Sequence, residues 1–125
     1  MSTTRWQGIF PAVTTKFHPD ERIDAEGTAR HIDFQIRNGI HGVVTCGSLG
    51  EASTLSLEEK LDVARIAIEA SGGRVPVLAN VSETSTRDAL RYIDAANKLG
   101  VAGYMVMPSV IYVADAREAM ANVRA

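Results

Sequence analysis

The sequence predicts a parallel α/β domain built from repeated strand–helix units, and three observations lead there. First, a short apolar run rich in β-formers recurs four times, at residues 8–15, 42–48, 75–81 and 103–108, each followed by a turn and an amphipathic stretch. Second, these runs begin about 28 to 34 residues apart, the size of one strand–helix unit. Third, the runs do not alternate apolar with polar residues. Val43-Val44, Val75-Pro76-Val77-Leu78 and Tyr104-Met105-Val106-Met107 read as strands covered on both faces. A helix between such strands returns the chain to the start of a parallel neighbour.

Each helix carries its own boundary signals. The first spans about residues 25–38, with Asp24 as N-cap, Ala25, Ala29, Ile32 and Ile36 at helical spacing, and Gly39 as the stop. The second opens with Ser56-Leu57-Glu58-Glu59, a capping box in which Ser56 and Glu59 satisfy each other's free N–H groups, and its inner face is Leu61, Ala64 and Ile68. The third opens near Ser85, buries Ala89, Ile93 and Ala96, and stops at Gly100. The fourth opens near Asp115, with Glu118 three residues on, and shows Ala119, Met120 and Val123; no stop signal follows it. No linker or low-complexity tract interrupts the pattern, so one domain, or part of one, is expected.

Composition narrows the function. The 125 residues are 46% hydrophobic and 22% charged with a net charge of −2, which excludes a disordered or supercharged chain and gives no basic stripe for nucleic acid. One cysteine, Cys46, excludes an internal disulfide scaffold and favours a reducing compartment. No apolar run reaches the roughly 20 residues of a membrane span, and residues 1–7 lack the apolar core of a secretory signal. A cytoplasmic protein without membrane or nucleic-acid partners is the expectation. His18, His31 and His41 are scattered without metal-ligand spacing, so no metal and no cofactor are expected.

In parallel α/β folds, chemistry gathers where strands end and loops lead into helices. Four such places occur. Thr14-Thr15-Lys16 after the first run offers hydroxyls, which β-propensity explains equally. Gly47-Ser48-Leu49-Gly50-Glu51 after the second brackets a hydroxyl between glycines free to take positive φ and to admit a ligand, although an ordinary glycine turn reads the same. It lacks the lysine and spacing of a phosphate loop. Cys46 beside it reads as a buried thiol, since no histidine stands near it in sequence and a reactive thiol needs an electropositive setting. After the third run, Asn80-Val81-Ser82-Glu83-Thr84 presents polar groups that capping explains as well. After the fourth, Tyr112 is a candidate proton relay or a packing tyrosine.

Taken together, these segments resemble the N-terminal part of the dihydrodipicolinate synthase / N-acetylneuraminate lyase family. The resemblance is carried by Gly8-Ile9-Phe10-Pro11-Ala12-Val13-Thr14-Thr15, by Gly47-Ser48-Leu49-Gly50-Glu51-Ala52-Ser53-Thr54-Leu55-Ser56, and by Glu58-Glu59-Lys60. Arg74-Val75-Pro76-Val77-Leu78-Ala79 and Gly103-Tyr104-Met105-Val106-Met107-Pro108 extend it over almost the whole chain. It implies a (β/α)8 barrel, of which residues 1–125 supply the N-terminal half, about four βα units. It also implies an aldolase-type lyase acting on pyruvate or a related 2-oxo acid through a lysine Schiff base. Mapped onto this sequence, Thr14, Gly47, Ser48 and Leu49 are the substrate-binding positions, and Ser48 and Tyr112 the catalytic ones. Leu49 stands where the synthases carry threonine, and Ser109 and Val110 stand where a relay tyrosine is usual, with Tyr112 two residues further. These departures point toward a paralogue, a pyrroline-4-hydroxy-2-carboxylate deaminase of hydroxyproline catabolism being the candidate.

Lys16, Lys60 and Lys98 are the only lysines, and none matches the family's Schiff-base position. This chain alone is therefore expected to be inactive. The family also implies a homodimer or homotetramer. Two alternatives of another class stand beside it, namely a non-catalytic half-barrel that self-associates to hide its open strand edges and a four-stranded flavodoxin-like binding module.

Overall fold

The computed structural model describes residues 6–108 and 111–125. Its order is α1 (Ala25–Arg37), β1 (Val43–Thr45), a 3-10 turn (Ser48–Gly50), α2 (Leu57–Ser71), β2 (Val77–Val81), α3 (Thr86–Leu99), β3 (Gly103–Val106) and α4 (Ala116–Arg124). The sheet is parallel in the order β1-β2-β3, with Val44 opposite Leu78 and Asn80 opposite Met105.

All four helices start where their caps dictate. The Asp24 side chain accepts from the Gly27 N–H at 2.8 Å. Ser56 and Glu59 close the capping box, Ser85 accepts from the Asp88 N–H, and Asp115 and Glu118 form a second box. Each such cap is worth about 1 kcal/mol. Gly39 and Gly100 end α1 and α3 with φ of 91° and 86°, a conformation glycine adopts without steric cost.

The first run corrects the expected pattern. Residues 8–15 do not form a regular strand; they pair with β1 through one bridge, Ala12 with Val44. Around it the Val13 N–H donates to the Val44 carbonyl and the Val44 N–H to the Pro11 carbonyl, both at 3.0 Å. Pro11 has no N–H, so the ladder cannot extend backward by the next parallel bond. Forward extension ends at Cys46, whose φ of 55° turns the chain out of the strand.

The core lies between sheet and helices. Val13, Val43 and Val77 pack on Ile32 of α1 and Ala67 of α2, while Ala79 and Val81 pack on Tyr92 and Ala96 of α3. Burying a side chain such as Ile32, fully enclosed here, stabilises the fold by about 1.5–3 kcal/mol. On α4 the expected inner face is not covered. Met120 and Val123 are 50% and 68% exposed, and none of the helix is buried among the described residues.

Candidate functional site

Residue parity sets which side chains reach the inner face of the sheet. Since Val13, Val43, Val77, Ala79 and Val81 pack toward the helices, Ala12, Thr14, Val44, Leu78 and Asn80 fall on the opposite face. That face would line the lumen of a barrel. At its C-terminal edge the 47–50 turn is tied to the first run through Thr15 and Gly50, and the preceding Cys46 to β2 through Asn80.

The turn is built differently from the sequence expectation. Gly47 is extended, with φ −72° and ψ −173°, and positive φ falls instead on Cys46 at 55° and Glu51 at 61°. A Cβ on Gly47 would sit 3.4 Å from Ala12 Cβ and 3.8 Å from Met105 Cε, an ordinary contact directed into the lumen. Gly50 carries the close approach, because a Cβ there would lie 3.0 Å from the Val13 carbonyl oxygen. The Gly50 carbonyl accepts from the buried Thr15 hydroxyl at 2.8 Å, pinning the turn to the first run. Ser48 and Leu49 are exposed, Leu49 by 69%. As the first residues of a 3-10 turn, their N–H groups precede the turn's own i→i+3 bonds. A hydroxyl, free N–H groups and a glycine floor suit a carboxylate. Thr14 Oγ1 is buried on the same face without a hydrogen-bond partner among the described residues.

Behind the turn lies a group of side chains that sequence reasoning did not assemble. Lys60 Nζ donates to Glu83 Oε1 at 2.7 Å, with side-chain exposures of 8% and 15%, and sits 6.0 Å from the Tyr92 ring centroid. Cys46 Sγ lies 3.9 Å from the Lys60 carbonyl. Burial pushes the Cys46 thiol up to about 12, only partly opposed by the Lys60 charge, in keeping with a structural thiol rather than a nucleophile. Burial likewise raises the Tyr92 hydroxyl. Lys60 and Glu83 are 23 residues apart in sequence, and no local motif announces their meeting.

Tyr112 is not brought to the turn. Its hydroxyl donates to Glu118 Oε1 at 3.1 Å, and it borders a groove of about 460 Å³ with Val81, Met107, Ala119 and Val123. Ser109 and Val110 lie outside the described residues. A wider hollow, about 810 Å³, opens at the other end of the strands beside His41 and Arg74. It joins strand starts and helix ends, away from the edge where βα loops gather functional groups. Among the described residues no group of three His, Cys, Asp or Glu side chains could hold a metal ion, and no helix is long and apolar enough to cross a membrane.

Parallel strands with an outer layer of helices define a partial (β/α) barrel, and the polar turn lies at the C-terminal strand edge, where such barrels gather functional groups. Residues 5–120 match the dihydrodipicolinate synthetase family, and the chain belongs to it. The 4-hydroxy-tetrahydrodipicolinate synthase of Methanosphaerula palustris is 39% identical over 104 residues, covering 82% of this chain and 36% of the relative. The N-acetylneuraminate lyase of Rhizobium meliloti is 39% identical over 118 residues, covering 94% and 40%. A prophage protein of the dihydrodipicolinic acid synthase family from E. coli, solved in complex with pyruvate, superposes with a TM-score of 0.87 at 35% identity, over 95% of this chain and 40% of that one. The synthase of Methylacidiphilum fumariolicum gives 0.90 at 28% identity, over 95% and 39%. The chain thus spans well under half the length of the relatives it matches.

Proposed function

We propose that residues 1–125 are the N-terminal half of a barrel enzyme, a lyase that acts on pyruvate or a related 2-oxo acid through a lysine Schiff base. The observation that carries this reading is the turn at residues 47–50. It puts a glycine and a hydroxyl at the C-terminal strand edge beside Thr14, in a chain whose family includes a protein solved with pyruvate. In this reading Gly47, Ser48 and Leu49 receive the substrate carboxylate and Thr14 and Ser48 supply hydroxyls, while Tyr112, bonded to Glu118 beside α4, stands apart from that group. The imine lysine lies outside these 125 residues. Lys60 is unsuited to that role, because its side chain is buried behind the turn and engaged with Glu83. The whole protein is a cytoplasmic homo-oligomer on the same reading.

The exposed apolar Leu49 favours a second reading within the family. With no hydroxyl at that position, the turn suits a deaminase acting on a cyclic imino acid such as pyrroline-4-hydroxy-2-carboxylate.

Borohydride reduction of the whole protein in the presence of pyruvate tests the Schiff-base step. The expected result is a single covalent adduct on a lysine other than Lys16, Lys60 and Lys98. An adduct on any of these three, or activity without a trappable imine, overturns the mechanism.

A further inference from the structure

We infer that Asn80 is a positioning residue that holds Cys46 in its left-handed conformation and so aims the 47–50 turn into the lumen. This rests on the reading of that turn as the substrate-carboxylate site. Cys46 has φ 55°, a region disfavoured for a residue with a Cβ and kept only where the surroundings over-determine it. Two contacts do so. The Asn80 side-chain amide donates from Nδ2 to the Cys46 carbonyl at 2.9 Å, and Cys46 Sγ lies against the Lys60 carbonyl. The amide's orientation is fixed, since a carbonyl has no hydrogen to give and the atom facing it must be the nitrogen.

The same Nδ2 lies 3.0 Å from Ser82 Oγ, so the side chain is held at two points. Asn80 is 1% exposed and stands on β2 next to the end of β1. The peptide it grips joins Cys46 to Gly47. Its direction sets where the following N–H groups and the Ser48 hydroxyl point. Without the amide, Cys46 relaxes to negative φ, the peptide turns, and the turn leaves its place over Ala12 and Met105. A glycine at position 46 would accept the left-handed conformation without strain, so Cys46→Gly should lessen the need for Asn80.

The test compares Asn80→Ala, Cys46→Gly and the double variant of the whole protein with the parent, reading two things. NMR reports the sign of φ at residue 46 through the one-bond Cα–Hα coupling, and titration reports the dissociation constant for pyruvate. Asn80→Ser, which keeps a small polar side chain at the buried site, replaces Asn80→Ala if the latter does not fold. The expected result is negative φ at residue 46 and a dissociation constant raised about tenfold in the Asn80 variant. The double variant should recover at least part of that loss. Positive φ retained at residue 46 after loss of the amide overturns the inference. Losses that simply add in the double variant also overturn it, because a purely structural role for Asn80 predicts no rescue. A parent protein that does not bind pyruvate overturns the carboxylate-site reading instead, while the φ measurement still decides the clamp.

Discussion

Replacing Lys60 with methionine is expected to destabilise the fold far more than an ordinary surface substitution. Lys60 and Glu83 meet at 2.7 Å with side-chain exposures of 8% and 15%, so water screens the pair little. Removing the ammonium strands the Glu83 carboxylate in that setting, and the cost of breaking a buried pair in this way is about 3–5 kcal/mol. An exposed pair, such as Arg22 with Asp20, is screened by water, and its loss should be felt far less. Glu83→Leu should cost a similar amount for the converse reason, an ammonium left alone beside the Tyr92 ring. The Lys60→Met, Glu83→Leu double variant should regain much of the loss, since both ions then leave the interior together. Urea denaturation of the parent, both singles and the double closes this cycle, and the coupling energy is its output. Single variants losing less than about 1 kcal/mol, or a double variant as unstable as the two losses summed, would show that the two charges are not coupled in a water-poor setting.

Two further outcomes follow from named contacts. Arg74 donates to Asp33 Oδ1 at 2.7 Å and holds the Asp33 carboxyl below its ordinary value of 3.8, with Arg37 on the other oxygen adding to the effect. A depressed folded-state value stabilises the fold above the ordinary carboxylate range and loses that contribution as pH falls through the lowered value. Arg74→Met should therefore lower the Tm near neutrality, with the difference from the parent shrinking as the pH drops below about 3.8; a difference independent of pH would contradict this. Gly50→Ala forces a Cβ to within 3.0 Å of the Val13 carbonyl and disturbs the Thr15 bond. It should cost about 1–3 kcal/mol by thermal or urea unfolding, whereas Gly47→Ala, with its contact at 3.4 Å, should fold nearly as well as the parent and weaken 2-oxo acid binding.

Helix boundaries were legible because capping is a local code. Asp24, Ser56 with Glu59, Ser85, and Asp115 with Glu118 each mark a helix start within a few residues of sequence. The parallel order was legible for a similar reason, the unit length. The irregular first run was not, because its β-rich composition hides the effect of Pro11 on the ladder. The turn at residues 47–50 was found by its glycines, yet positive φ fell on Cys46 and Glu51. Composition shows where strain is cheap; tertiary bonds, here those of Asn80 and Lys60, decide where it is borne. The Lys60–Glu83 pair and the role of Asn80 depend on contacts between separate βα units, which no short pattern records. The apolar positions of α4 suggest an inner face, but Met120 and Val123 stay exposed because no described element packs over them.

In the proposed function the turn at residues 47–50 receives a 2-oxo acid carboxylate. The most direct measurement is a pyruvate titration of the isotopically labelled protein, followed by the amide shifts of each residue. The largest changes should fall on Gly47, Ser48 and Leu49, with Thr14 next, and Gly47→Ala should suppress them. Changes centred instead on His41, Arg74 and the hollow at the opposite end of the strands would contradict it.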